Sequence, residues 1–286
     1  MRKDFRPKVS IVTGGASGIG RAIAAELVAR GSHVVIADLD ATRAADTARA
    51  LGPSTSVAQL DVTDAAAVTA LVDRTVAERG RLDVMVNNAG IAVGGLLEEL
   101  DERHWAKAID VNLMGVVNGV TAAYPHLRAQ GSGHILNTAS LAGLIPAPAM
   151  LPYTTTKHAV VGLSMALRAE AASQGVRVSV LCPAFVDTPL LDDVYAAPPS
   201  LGAGAVRARV RMMQPRILTA ENAGRRAVEG LAANKAVIPV GFLAHASWRL
   251  LRYAPPLARA VIQAQATAHR RLNARAARRA ATQSSR

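Results

Sequence analysis

Tyr153 and Lys157 stand four residues apart in Tyr153-Thr154-Thr155-Thr156-Lys157, a spacing that puts both side chains on one face of a helix. A phenol, with a pKa of about 10, is a poor base at neutral pH. A nearby ammonium favours the phenolate and lowers that pKa, which makes a general acid/base of the pair. Taken alone, the two residues read more readily as an exposed helix pair.

A second cluster lies near the start of the chain. Thr13-Gly14-Gly15-Ala16-Ser17-Gly18-Ile19-Gly20 follows a short apolar run and opens a helix. Glycines let backbone amides approach a pyrophosphate, and a helix N-terminus adds partial positive charge. An ordinary strand-to-helix turn has the same composition. Asp38 lies 18 residues beyond Gly20, near the spacing of a ribose-binding carboxylate. It would accept from the adenosine hydroxyls and repel a 2′-phosphate, so it favours NAD over NADP. Leu39 rather than Arg follows it, which points the same way, although Arg43 is one helical turn on. By itself Asp38 also reads as a surface acid in a turn.

The elements that must position these groups follow from hydrophobic periodicity. Strands are predicted at Val9–Thr13, His33–Asp38, Ser56–Leu60, Asp83–Asn87, Gly133–Thr138, Arg177–Leu181 and Ala236–Val240. Helices are predicted at Gly18–Arg30, Thr42–Leu51, Asp64–Arg79, His104–Gln130, Pro152–Gln174 and Thr219–Asn234. The strands are continuous apolar runs alternating with helices, the pattern of a parallel sheet buried on both faces. The expected fold is α/β, a single doubly wound Rossmann-type domain over residues 1–240 with a seven-stranded parallel sheet. Residues 187–215 are read as a substrate lid, and residues 241–286 as a basic helical extension.

In order along the chain, further motifs accompany the two clusters. Asp61-Val62 follows the third strand and Asn87-Asn88-Ala89-Gly90 ends the fourth. Asn112 lies in the long helix and Ser140 follows the fifth strand. Pro183 and Thr188 follow the sixth. With Gly14-x-x-x-Gly18-x-Gly20 and Tyr153-x-x-x-Lys157, this set resembles the short-chain dehydrogenase/reductases over about residues 5–240. One departure is Pro183-Ala184, where the family usually has Pro-Gly. If that position needs a positive φ, Ala costs about 1 kcal/mol.

The resemblance implies hydride transfer between a carbinol carbon and a nicotinamide cofactor, with Tyr153 exchanging the hydroxyl proton. Ser140 would hydrogen-bond the substrate oxygen. Lys157 would also bind the nicotinamide ribose, and Asn112 would hold a water linking Lys157 to solvent. It also implies cofactor contacts at Gly14, Ser17, Gly18, Ile19 and Gly20, with Asp38 at the ribose and Asp61 and Val62 at the adenine. Asn88, Ala89 and Gly90 would line the adenosine side and nicotinamide ribose. Pro183, Val186 and Thr188 would hold the nicotinamide end. A homodimer or homotetramer is implied as well, packed through the long helix and the Tyr153 helix. An NADPH-dependent carbonyl reductase, or a cofactor-binding scaffold without turnover, are the alternatives.

The substrate is less legible. Leu144, Ile145, Met150, Leu151, Leu190, Leu191, Val194 and Tyr195 would wall a pocket suited to a lipophilic secondary alcohol or ketone. Alternatively, they only pack the lid. Arg207, Arg209 and Arg211 read as a solvated face rather than an anion clamp.

Composition bounds the rest. Half of the 286 residues are hydrophobic, enough for a large core. One cysteine, Cys182, excludes an intrachain disulfide and a Cys-based zinc cluster, and it reads as buried. The histidines have no metal-ligand spacing, so no metal is expected. His158 beside Lys157 reads as a packing or surface residue. No secretory signal or membrane-spanning run is visible, so a cytoplasmic location is expected. The net charge of +12 is uneven: about −2 over residues 1–200 and +14 over 201–286, with nine Arg and no acid beyond residue 240. Arg249, Arg252 and Trp248, then Leu257, Val261, Ala264, Ala268 and Leu272 opposite Arg259 and Arg270, make a basic amphipathic stretch. It suits an anionic membrane surface or a partner subunit. Nucleic acid is disfavoured, because no stacking aromatics accompany the Arg residues, including Arg275, Arg278 and Arg279.

Overall fold

The computed structural model describes residues 5–192, 194–195, 207, 210–212, 214 and 216–284; the side chains of Val194, His269 and residues beyond Arg271 lie outside the description. The strands are β1 (Val9–Thr13), β2 (His33–Asp38), β3 (Thr55–Gln59), β4 (Val84–Asn87), β5 (Ala92–Val93), β6 (Gly133–Thr138), β7 (Val176–Pro183), β8 (Val186–Asp187), β9 (Val194–Tyr195), β10 (Leu218–Thr219) and β11 (Val237–Val240). The helices are α1 (Gly18–Val28), α2 (Ala41–Leu51), α3 (Ala65–Arg79), α4 (Glu102–Ile109), α5 (Gly115–Gln130), α6 (Leu151–Ala171), α7 (Ala220–Ala232), α8 (Phe242–Tyr253) and α9 (Pro255–Ser284).

Seven strands form one parallel sheet in the order β11-β7-β6-β4-β1-β2-β3. The seven strands expected from the sequence are these seven. Alternation along each strand divides the core. Ile11, Val35, Met85 and Ile135 pack with Leu71 of α3 and Leu127 of α5. Val12, Ile36, Val86 and Leu136 pack on the other face with Leu27 of α1 and Leu231 of α7. A strand buried on both faces favours apolar residues at successive positions, which is why β1, β2 and β4 read as near-continuous apolar runs, while the edge strand β3 is more polar and exposed. The order reverses direction between β1 and β4, and a ligand crevice opens at the carboxyl ends of the strands at such a point.

Four two-residue strands were not legible in the sequence. They pair across the crevice, β5 with β9 and β8 with β10, and tie down the described ends of the lid segment. Much of that segment, Arg209 included, lies outside the described residues. The helix expected at His104–Gln130 is also interrupted. A π-helical turn at Asp110–Met114 separates α4 from α5 and contains Asn112. Such single turns occur mostly at functional sites. Pro255 and Pro256 open α9 rather than merely breaking the extension, since a helix's first turn does not use their missing N–H groups. Among the described residues no helix is long and apolar enough to cross a membrane, and no group of His, Cys, Asp and Glu is placed to hold a metal ion.

Candidate active site

The glycine turn between β1 and α1 is built by close approach. Gly14 has φ of 62°, and a Cβ there would lie 2.8 Å from the Ala89 Cα. A side chain at Gly14 would therefore meet both backbone strain and a clash. Asn88 pins the turn by donating from Nδ2 to the carbonyl oxygens of Thr13, at 3.1 Å, and Gly14, at 3.3 Å. The Thr13 hydroxyl accepts in turn from the amides of Asn88 and Ala89 at 2.9 and 3.1 Å. Ser17, at the N-cap of α1, makes no side-chain hydrogen bond, so the first amides of the helix lack the usual capping acceptor. This arrangement fits a pyrophosphate, whose oxygens would supply those acceptors.

Asp38 closes the adenosine end. Its Oδ2 accepts from the Ala16 amide at 3.0 Å and its Oδ1 from the Asp40 amide at 3.1 Å. Each oxygen keeps a second lone pair for a ribose hydroxyl. Arg43 is drawn to Asp40 instead, its Nε 3.4 Å from that carboxylate. Asp61 accepts at Oδ1 from the amide and hydroxyl of Thr63 at 2.9 and 2.8 Å. The Thr63 amide, followed by its hydroxyl, holds the Asp61 carboxyl below its ordinary pKa.

The acid/base pair sits at the other end. Tyr153 and Lys157 are both buried on α6, and the Lys157 Nζ is 5.6 Å from the centre of the Tyr153 ring. Nζ donates to the Thr138 carbonyl oxygen at 2.9 Å. Burial pulls Lys157 down to about 8. Burial also raises the Tyr153 phenol above its ordinary value, while the Ser140 hydroxyl acts in the opposite direction. The lowered phenol expected from the Tyr–Lys spacing is thus overridden, because desolvation disfavours both charged forms. Ser140 opens the short turn Leu141–Gly143 and accepts from the Ala142 amide at 3.2 Å.

Asn112 lies behind this pair and is completely buried. Its Oδ1 accepts from the Ile91 amide at 2.8 Å and its Nδ2 donates to the Ile91 carbonyl at 3.0 Å. A Cβ on Gly90 would stand 2.9 Å from the Asn112 Oδ1 and 3.4 Å from the Lys157 Nζ. Glycine is what lets the backbone of this loop pass so close.

One cavity of about 730 Å³ joins these groups. Of the site residues singled out in the sequence, all but Gly20 and Asn112 line it. Gly20 works inside the turn, where a Cβ would lie 2.1 Å from the Gly14 carbonyl oxygen. Of the expected substrate walls, Ile145, Met150, Leu190 and Leu191 line the cavity. Leu144 packs into the small core beside α6, Leu151 is exposed, and Tyr195 meets the His104 ring at a tilt, with ring centres 5.6 Å apart. The Val194 side chain is outside the description. Arg207 is taken up by the carboxylates of Asp187 and Asp192, so it is not poised for an anion. Ala184 has no positive φ, so the missing glycine there strains nothing. Cys182 is buried, and desolvation raises its thiol to about 12; His158 is exposed, its Nδ1 2.9 Å from the Thr154 carbonyl oxygen.

Three cavity-lining residues of the extension, Leu243, Ser247 and Gln265, were not legible in the sequence. A helical periodicity was visible there, but nothing in it told which body the helices would lie against.

Comparison with known proteins agrees with this geometry. The family model for short chain dehydrogenases matches residues 8–198. A cis-4-hydroxycyclohexanecarboxylate dehydrogenase from Sinomonas cyclohexanicum is 38% identical over 247 residues, which is 84% of this chain and 95% of that protein. A short chain dehydrogenase/reductase from Burkholderia phymatum, solved in complex with NAD, superposes with a TM-score of 0.77 at 34% identity, covering 89% of this chain and 96% of that one. A 3-ketoacyl-(acyl-carrier-protein) reductase from Brucella melitensis, complexed with NADH, gives a TM-score of 0.73 at 28% identity, covering 82% and 96%.

Proposed function

Since this chain belongs to the short chain dehydrogenase family of oxidoreductases, we propose that it oxidises a largely apolar secondary alcohol to a ketone, or reduces that ketone, with NAD preferred over NADP. The observation that carries this reading is the single cavity lined by the glycine turn, Asp38, Ser140, Tyr153 and Lys157. The nicotinamide, when bound, accepts or donates the hydride. The residues of this chain do the remaining work.

The backbone of Gly14 and Ser17–Ile19 would hold the pyrophosphate, and Asp38 the adenosine ribose. Asp61 and Val62 flank the adenine position; Asn88, Ala89 and Gly90 flank the riboses. Pro183, Val186 and Thr188 lie at the nicotinamide end. Ser140 donates to the substrate oxygen and orients it. Tyr153 takes the hydroxyl proton in oxidation and returns it in reduction. Lys157, charged below about pH 8, stabilises the phenolate form of Tyr153 at the moment it is needed. Asn112 acts as a positioning residue through Ile91 and Gly90.

NAD preference is supported by the free lone pairs of Asp38. The apolar substrate class is supported by Ile145, Met150, Leu190, Leu191 and Val210 in the wall. The relatives named for a hydroxycyclohexane carboxylate and for a ketoacyl group both act at a secondary alcohol or ketone centre. The first experiment is NADH formation with NAD and secondary alcohols from 2-propanol to steroids, beside Tyr153→Phe. Activity on bulky apolar alcohols that falls about 10²–10⁴-fold in the variant is the expected result. Silence across the panel with intact NAD binding would reverse the reading in favour of a non-catalytic cofactor-binding protein.

We propose further that residues 1–240 form the catalytic domain of a homo-oligomer and that the extension meets an anionic membrane surface. Exposed Phe242, Tyr253 and Leu257 beside Arg249 and Arg252 support the membrane contact. Co-sedimentation with vesicles, lost when anionic lipid is replaced by neutral lipid, is the result that reading requires.

A further inference from the structure

We propose that α8 and α9 form the outer, substrate-selecting wall of the cavity, held across its mouth by an Arg270–Glu98 latch. The proposal rests on the oxidoreductase reading above and extends it to a segment beyond the end of the family match at residue 198.

Topology places the segment there. The extension leaves the carboxyl end of β11, at the edge of the sheet beyond β7 and β6. At its root Gly241 has φ of 94°, and Ala244 is completely buried. Ala258, in the first turn of α9, is buried as well. Farther along, Arg270 forks onto Glu98, with Nη1 donating to Oε1 at 2.6 Å and Nη2 to Oε2 at 3.3 Å. Glu98 lies in the short turn Leu97–Glu99, which follows β4 and β5. The chain therefore runs from the end of β11 to the loop beyond β4. It spans the carboxyl ends of β7 and β6, where Thr188 and Ser140 lie.

The side chains agree with the path. Leu243 and Ser247 are one helical turn apart on α8 and both line the cavity, as does Gln265 on α9. Ser247 and Gln265 add a hydroxyl-bearing and an amide-bearing residue to a lining that also holds Leu243, Ile145, Leu190 and Leu191. The substrate class that fits is a hydrocarbon body carrying the reacting secondary alcohol and, away from it, a second hydrogen-bonding group. The latch anchors beside the cavity too: the Gly95 amide donates at 2.8 Å to the carbonyl of Ala149, next to wall residue Met150. A bidentate Arg–carboxylate pair fixes geometry. Because it is exposed it is also a weak fastening, which suits a wall that must open for substrate.

The test uses the full chain. The ratio of kcat/KM for 2-decanol to that for 2-propanol is measured in the wild type, Ser247→Phe, Arg270→Glu, Glu98→Arg and the double charge swap. Ser247→Phe is expected to lower the ratio tenfold or more by filling the wall. Either single charge reversal is expected to lower it severalfold through KM for 2-decanol, with recovery in the double swap. An unchanged ratio in Ser247→Phe, or a double swap no better than the singles, overturns the proposal. Amide hydrogen exchange over residues 242–271 needs no turnover. Faster exchange in Arg270→Glu that is restored in the double swap supports the latch; unchanged exchange overturns it. Failure of the wild type to oxidise either alcohol would count against the oxidoreductase reading, while the exchange result still decides this one.

Discussion

Asn112 clasps Ile91 at both of that residue's backbone polar groups, accepting from its amide at 2.8 Å and donating to its carbonyl at 3.0 Å. The clasp joins the π turn between α4 and α5 to the loop that carries Gly90, and so sets how near that loop comes to Lys157. Asn112→Ala leaves both Ile91 groups without their partner and is expected to cost about 2–4 kcal/mol. Asn112→Asp keeps the acceptor and is expected to cost less. Urea midpoints of the three proteins check the order, and an alanine variant as stable as the wild type would contradict it.

On the function proposed above, Asp38 selects between the two nicotinamide cofactors by charge. Asp38→Asn keeps an acceptor for the Ala16 amide but removes the repulsion of a 2′-phosphate. The kcat/KM ratio for NAD over NADP is expected to fall by about 10- to 100-fold, the size of one or two charge-assisted hydrogen bonds. Cofactor titrations with a single alcohol measure it; an unaltered ratio would remove Asp38 from the selection.

Lys157 gives stability an alkaline signature. Its pKa is about 8 in the folded chain, against an ordinary value of 10.5. Between these values the unfolded chain binds the extra proton, so stability rises with pH across that window. The rise is on the order of 3 kcal/mol by pH 10.5. The raised Tyr153 phenol works against it above its ordinary value of 10.0, because there the folded chain holds a proton that the unfolded chain has lost. Unfolding free energies at pH 7.5, 8.5 and 9.5 should climb in the wild type and climb less in Lys157→Met.

His134 does the same on the acid side. It is buried on β6, its Nε2 2.9 Å from the Ser179 hydroxyl, and its Nδ1 has no partner. Burial first, then Arg177 and Arg168, lower it to about 3 from 6.5. Its neutral form is held in the folded chain while the unfolded chain protonates, so stability is lost as pH falls from 6.5 towards 3. The loss is on the order of 4 kcal/mol. His134→Gln should flatten the acid limb of a stability profile; an equally steep limb would assign it to the carboxylates instead.

Much of the molecule was legible in advance. The sheet strands are mostly apolar runs, and Asp64 caps α3 as its place before the helix indicates. The glycine turn and the Tyr153–Lys157 pair were readable because each depends on residue type at a short, local spacing; Asp38 was read from its distance to that turn, and Ser140 from the order of motifs that the family shares. The π turn was not, since a run of residues acceptable in an α-helix does not disclose one extra residue. Nor were β5, β8, β9 and β10, each too short to carry a period.

By itself, then, the sequence determined the sheet and the turn that fits a pyrophosphate and pointed to a candidate acid/base pair, because hydrophobic period, backbone freedom and side-chain chemistry are local properties. Only the tertiary structure decided the direction in which the pKa values of that pair move: enclosure raises Tyr153 and lowers Lys157, and burial depends on residues far apart in the chain. It also decided where the extension lies. An amphipathic basic helix is equally suited to lipid, a second subunit or its own domain, and only the packing at Ala244 and the Arg270–Glu98 contact bring Leu243, Ser247 and Gln265 to the cavity.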